Sequence, residues 1–243
     1  MHGLFNYDNP VWRFIGKLGD LMILNLLWAV CSLPVFTIGA STTAMYYVTL
    51  KLVRDEDGST IKGFFHSFTS NFKQSTIIWL ILLGCAALAG FDLWFFYTNQ
   101  FGLPSAVRIV LTAVFGGASL ILLFIGLYVF PLQARFYNPI KRTMFNAFFM
   151  SVRHLLQTLG IIFTDGILVA ASVMTLYYAP QFFVICILLG VPFLAFMNSY
   201  YFETVFKRYM PKQETEQDRG GLSPLLDEEN KEVEAAIQDL KRN

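Results

Sequence analysis

Four stretches of the chain are each long and apolar enough to cross a bilayer: Thr76 to Tyr97, Val107 to Phe130, Leu156 to Tyr178 and Phe182 to Phe202. A hydrocarbon core of ~30 Å takes about 20 helical residues, since each rises ~1.5 Å. Inside that core the chain has to satisfy every backbone N–H and C=O itself, which leaves helices as the structure open to runs of this length. The expected fold class is therefore all-α, a polytopic transmembrane helical bundle. Composition points the same way: of 243 residues 55% are apolar and 14% charged, and the mean hydropathy is +0.52, a membrane rather than a soluble profile. A formal net charge of +1 gives no electrostatic signal for nucleic acid.

The stretch from Leu18 to Val53 admits two readings, because Pro34 and Gly39 interrupt a run too long for one straight span. In one, Leu18 to Ile38 is a single span and the total is five membrane segments. In the other, Leu18 to Leu33 rises, PVFTIG turns, and a helix capped by Ser41 or Thr42 descends to Val53, giving six segments. Charge favours the second. Lys51, Arg54, Lys62 and Lys73 precede the first long run, Arg135, Lys141, Arg142 and Arg153 lie between the second and third, and Lys207, Arg208 and Lys212 follow the fourth. The alternate connections Thr98 to Ala106 and Ala179 to Gln181 contain no Lys or Arg at all. The positive-inside rule then sets the basic segments, together with Arg13 and Lys17, in the cytoplasm. Both termini are expected there.

Two cytoplasmic amphipathic helices are expected. Ile61, Phe64, Phe65, Phe68 and Phe72 recur at helical spacing. Met144, Phe148, Val152 and Arg153 repeat that shape at a constant shift from Phe64, Phe68, Phe72 and Lys73, as in an internal duplication. Phe64, Phe68, Phe72 and Phe148 are the candidate residues for docking a partner, with the lipid interface as the competing role. Residues 1–210 form the expected transmembrane domain. Residues 211–243 form a cytoplasmic charged tail, with a polar linker and a short amphipathic helix starting at Ser223 and Pro224.

No phosphate-binding loop, zinc-protease helix or nucleophile elbow is present in the sequence, so no catalytic residue, metal site or cofactor is expected. Cys31, Cys85 and Cys186 lie singly in apolar runs and read as small buried hydrophobes, and His66 and His154 as solvated. Asp165 stands half-way along its run, where an ionised carboxylate costs at least ~2.5 kcal/mol. It reads as a substrate or ion site, or as a carboxylate held by Asn25 or Asn198 to fix helix packing. Asp92 and Arg108 could pair across the hairpin between the first two runs. Ala86 with Gly90, Ala113 with Gly117, and Gly166 with Ala170 are spaced to let helix backbones approach. Trp28, Trp79 and Trp94 could stack on a sugar, although packing is the commoner role for such residues.

The segments LPVFTIGASTTAMYYV, RDEDGSTIKGFFHSFTSNFKQSTIIWL and KRTMFNAFFMSVRHLLQTL together resemble the YesL family of bacterial membrane proteins, over about residues 1 to 210. The resemblance implies a Gram-positive cell-membrane protein encoded beside carbohydrate ABC transporters and glycan-degrading enzymes, and supplies no catalytic residues. The chain lacks a nucleotide-binding motif and the EAA-type loop of ordinary permease subunits. What remains within such a system is a non-enzymatic accessory subunit of an oligosaccharide importer, docking on the permease subunits. The alternatives are an independent secondary transporter or channel using Asp165, and a regulatory protein acting through its tail.

Overall fold

The computed structural model describes residues 10–56, 58–99 and 102–210. Among them all regular structure is helical: α1 (Pro10–Cys31), a 3₁₀ turn (Val35–Thr37), α2 (Ile38–Val53), α3 (Thr60–Thr98), α4 (Ser105–Arg135), α5 (Ile140–Arg153), α6 (Leu155–Tyr178), a second 3₁₀ turn (Pro180–Phe182) and α7 (Phe183–Phe206). The four apolar runs lie in the four helices long and apolar enough to cross a membrane, Thr60–Thr98, Ser105–Arg135, Leu155–Tyr178 and Pro180–Phe206. The tail and its helix lie outside the described residues. The chain divides into a unit ending at Val205 and a second unit from Phe206. In the second, the Tyr209 and Met210 N–H groups donate to the Phe206 carbonyl, closing one turn.

Leu18 to Val53 forms a helical hairpin, α1 up and α2 back. Its turn is closed internally. Thr37 Oγ1 lies 2.6 Å from the carbonyls of both Cys31 and Pro34, the Thr37 N–H donates to Pro34, and the Trp79 indole donates to the Val35 carbonyl at 2.8 Å. Trp28 donates to Thr42 Oγ1 at 3.2 Å, tying the two arms together. Ser41 and Thr42 are not caps: α2 starts at Ile38 after Thr37, whose side chain caps nothing, and Ser41 donates back to the Thr37 carbonyl. The Pro34 turn already uses the Thr37 hydroxyl, so the helix begins one turn earlier than a capping side chain would place it.

The 16-residue α2 is the buried centre of the bundle. Gly39, Ala40, Ser41, Thr43, Ala44 and Thr49 are all buried, small residues that let neighbours close in. A Cβ on Gly39 would meet the Ser75 carbonyl and Trp79 Cβ, both at 2.5 Å, so α2 and α3 touch backbone to side chain there. Leu21 and Leu24 of α1, Met45 and Val48 of α2, Phe64 of α3 and Phe196 of α7 form one core cluster.

The amphipathic stretch of α3 is not a separate helix. It runs unbroken into the apolar run as one helix of 39 residues, about 58 Å long, because Lys73–Gln74–Ser75 holds no glycine or proline to stop it. The equivalent stretch α5 is parted from α6 by His154 alone, with φ −111° and ψ 48°. Both ends of α3 shift by the same 80 positions onto this pair, Thr60 to Ile140 and Thr98 to Tyr178, which extends the repeat from a few residues to whole helices.

Beyond Trp79, α3 continues for 19 residues, about 28 Å, past the tip of the α1–α2 hairpin. There the packing is loose. Gly90, Gly117 and Gly166 each face open space within 4 Å of a hypothetical Cβ, so these small-residue pairs do not bring backbones together. Ala86 and Gly90 instead line a crevice of about 500 Å³ between α3 and α4. The close approaches lie elsewhere, at Gly39 and at Gly160, where a Cβ would sit 2.9 Å from the Tyr201 ring. Among the described residues no ion pair joins Asp92 to Arg108.

Candidate functional site

Polar side chains inside the bundle meet along a seam between α2, α4, α6 and α7. Asn198 is 3% exposed and donates through Nδ2 to both carboxylate oxygens of Asp165, at 3.0 and 3.1 Å. With its nitrogen toward Asp165, the amide offers a donor to a carboxyl group that has oxygen acceptors alone when ionised. Tyr46 of α2 lies beside the Asn198 amide and within electrostatic reach of Asp165. One residue along α7, the Ser199 and Thr49 hydroxyls are 2.9 Å apart. Tyr201 pairs with Thr164 at 3.0 Å and Tyr128 with Thr158 at 2.9 Å. Thr158 in turn donates to the Ser151 carbonyl across the α5–α6 break. Satisfied hydroxyl pairs of this kind specify helix register, and each contributes of order 1 kcal/mol.

Asn25 does not belong to this seam. Its Nδ2 donates to the Ile187 carbonyl at 2.7 Å, next to Gly190, whose φ of 43° and ψ of −139° break α7. Ile187 would ordinarily accept from Val191 four residues on, and the break removes that donor. A Cβ on Gly190 would lie 2.6 Å from Asn25 Oδ1, so the glycine and the asparagine form one joint. The kinked part of α7 and the end of α6 enclose a second crevice of about 500 Å³, with Ser172, Thr175 and Cys186 among its lining.

A second polar cluster, which sequence reasoning missed, closes the end of the bundle where the basic residues gather. Arg54 follows α2, with its side chain 13% exposed, and holds Glu56 through Nε and Nη2 while Nη1 donates to Glu203 of α7 at 3.2 Å. Lys17 pairs with Asp55 at 2.7 Å, and Thr60 donates to Asp20 at 2.6 Å. α1, α2, α3 and α7 are thus fastened at one end. The hydrogen bond from Arg54 is the main reason the Glu56 carboxyl lies below its ordinary range, burial opposing it and the charges of Arg54, Arg135 and Lys51 adding to it. The signal was present in the sequence: Glu203 is an isolated acid in YYFETVF. Its partner 149 positions away was not readable.

Of the candidate docking residues, Phe64 is fully buried. It is a core residue, stacked on Phe68 at 6.0 Å, and Phe68 meets Phe72 edge-on at 5.4 Å. Phe68, Phe72 and Phe148 are half-buried. The rings turned outward are instead Phe65 of α3 and Phe145 and Phe149 of α5. The apolar stripe of α3 is the face that meets α1 and α2, which periodicity alone cannot assign. His154 is 7% exposed, because it sits at the α5–α6 break rather than on an open helix face, while His66 is exposed beside Tyr47. Trp28 and Trp79 are committed to the α1–α2 turn. Among the described residues no three His, Cys, Asp or Glu side chains are grouped to hold a metal ion.

Residues 21–93, which build the α2-centred core, match the family described as "Protein of unknown function, DUF624". The chain is also similar to "Uncharacterized protein YesL" of Bacillus subtilis (strain 168), with 28% identity over 152 residues, 62% of this chain and 69% of the relative. No solved structure matches. The YesL resemblance is borne out.

Proposed function

We propose, from its YesL-like character and its uncovered membrane helices, that the chain is a non-enzymatic accessory subunit of a carbohydrate ABC importer that docks laterally on the permease subunits. The carrying observation is how little of the apolar helices the chain itself covers. In the most apolar stretches of α3, α4 and α6 only 11%, 0% and 6% of residues are buried, and α7 with its preceding 3₁₀ turn reaches 28%. A translocation path needs a protein-lined interior, and helices so little enclosed offer their surfaces to lipid or to other membrane helices. Importer and oligosaccharide enter this reading through the family resemblance alone.

In the corresponding topology the charged end faces the cytoplasm of a Gram-positive cell, both termini lie inside, and the first stretch contributes two of six membrane segments. The α1–α2 hairpin is then re-entrant, since its tip at Trp79 lies about 28 Å short of the end of α3. Its internally satisfied carbonyls suit a turn placed in hydrocarbon. α5, with Phe145 and Phe149 outward and Lys141, Arg142 and Arg153 beside them, serves as a cytoplasmic interfacial helix.

Affinity-tagged protein solubilised in mild detergent should recover permease subunits, and its deletion should impair oligosaccharide uptake. Recovery of the chain alone, with uptake unchanged, defeats the proposal. The Asp165–Asn198 pair favours a second reading, an independent ion-coupled transporter or channel. Purified protein in proteoliposomes should then carry a flux that Asp165→Asn abolishes, and absence of flux from the wild type removes that reading.

A further inference from the structure

α5 is held at a membrane boundary by its neighbours in the chain. It begins at Ile140, shortly after α4 ends at Arg135, and His154 alone parts it from α6. Both α4 and α6 are long and apolar enough to cross a membrane, so connections this short keep α5 from leaving the surface. Its exposed side chains are Lys141, Arg142, Phe145, Phe149, Val152 and Arg153, while Thr143, Ala147, Met150 and Ser151 are buried. At about 100° per residue the exposed six fall within one arc of about 120°. Phe145 stands four residues after Lys141 and three after Arg142, the two spacings that make helix neighbours, so a cation flanks its ring on either side. The Phe145 and Phe149 rings are stacked 6.4 Å apart at 11°, and the Arg153 guanidinium lies 5.8 Å from the Phe149 ring centre. From Ile109 to Thr164 the sequence holds no Asp or Glu, and among the described residues no ion pair includes Lys141 or Arg142.

Given the interfacial placement of α5 proposed above, on which this rests, the geometry points to a surface that selects anionic phospholipid. Phe145, Phe149 and Val152 enter the boundary between headgroups and acyl chains, the depth at which an amphipathic helix lies. Lys141 and Arg142 then meet the headgroup layer on either side of Phe145. Rings alone would accept any phospholipid, since every one offers the same apolar boundary. The paired cations make net charge the discriminating quantity: a zwitterionic headgroup carries its own cation beside the phosphate, whereas an anionic headgroup leaves a charge for the protein to answer.

The test places photoreactive p-benzoylphenylalanine at Phe145 of the full chain, in vesicles of equal parts phosphatidylcholine and phosphatidylglycerol, and identifies the adducts by mass spectrometry after irradiation. Phosphatidylglycerol should exceed phosphatidylcholine among the lipid adducts by about fivefold or more, the gain from one cation at an anionic surface. Lys141→Gln/Arg142→Gln should bring that ratio close to unity while lipid adducts persist, and Lys73→Gln, an exposed cation of α3, should leave it unchanged. Raised salt should lower the ratio, because exposed charges are screened. A ratio of unity with both cations intact, or one that the double variant retains in full, overturns the lipid selectivity and leaves the interfacial placement standing. Adducts to the chain itself, residues after Met210 included, with no lipid adduct overturn both. Should the double variant fail to fold, Arg142→Gln alone replaces it, with a smaller fall in the ratio expected. The vesicles hold no importer, so no outcome depends on the accessory-subunit reading.

Discussion

Around Gly39 the helices interlock so closely that a single added carbon would overlap α3, whereas eleven residues beyond Trp79 the same α3 reaches Gly90 with open space beside it. The first region centres on α2, a helix of only 16 residues rich in Gly, Ala, Ser and Thr, and the second is built from the most apolar segments of the chain. The difference teaches that hydropathy and burial are separate quantities in this fold. In water apolar residues would be driven inside, but in a bilayer lipid is as apolar as leucine, so burial follows shape and hydrogen bonding instead. Small and hydroxylated residues let the packed region close around its Leu, Met and Phe core, and many of the large aliphatic residues of the long apolar runs face outward.

The strongest way to break that contrast is to cut equal volumes from both regions. Phe64→Ala should destabilise the protein by about 3–5 kcal/mol, the usual result of emptying a fully enclosed aromatic site. Phe91→Ala should cost under about 1 kcal/mol, because Phe91 is 58% exposed and touches mainly the neighbouring rings of its own helix. Unfolding of both variants from detergent by a graded denaturant measures the gap, and equal losses would erase the distinction between the regions.

Adding volume should give a smaller but still opposed pair of effects. Gly39→Ala places a methyl 2.5 Å from the Ser75 carbonyl, and a backbone atom cannot swing aside, so a loss of about 2 kcal/mol or more is expected. Gly117→Ala meets nothing within 4 Å and should stabilise α4 by up to ~1 kcal/mol through helix propensity. The thermal midpoints of the two variants should therefore move in opposite directions.

These contrasts also explain what could be read without coordinates. The four long runs were legible because about 20 uninterrupted apolar residues have one structural outcome in a bilayer. The Pro34 turn was legible as an interruption, and the basic residues at one end supported a hairpin over a single span. Asp165 and Asn198 stood out as lone polar residues in apolar surroundings, and they do meet. Asn25 stood out for the same reason, yet it serves Ile187. Spacing along a helix does not state which neighbour a face will meet. The same missing information placed Phe64 on a docking face and read Gly90 and Gly117 as contact points. The Arg54–Glu203 pair depends on a tertiary approach that no local pattern encodes.

The polar seam belongs to the packed region, and a substitution at Asp165 sharpens its role. Asp165→Leu strands the buried Asn198 amide without its acceptor, a loss of about 1–3 kcal/mol. Asp165→Asn keeps a carbonyl oxygen in place and should cost under ~1 kcal/mol. The matched control is Thr175→Val beyond the packed region, where the hydroxyl donates only to Ala171 of its own helix, and the change should stay within about 0.5 kcal/mol. If Asp165→Asn proves as damaging as Asp165→Leu, the carboxylate charge rather than its hydrogen bonding holds the seam.

The smallest effect lies at the charged end and depends on acid. Glu56 has its folded pKa depressed chiefly by the Arg54 hydrogen bond, so its contribution is fully present above the ordinary glutamate value of about 4.3. It is lost as the pH falls through the lower folded value, because protonation then removes the acceptor that Arg54 holds. The Glu56 side chain is 42% exposed, and solvent screening limits the pair to no more than about 1 kcal/mol. Thermal midpoints of the wild type and Glu56→Gln should differ between pH 7 and pH 5 and converge below about pH 4. A gap that persists unchanged to pH 3 would mean that Arg54 fastens α2 through Glu203 alone, leaving Glu56 outside the packed region.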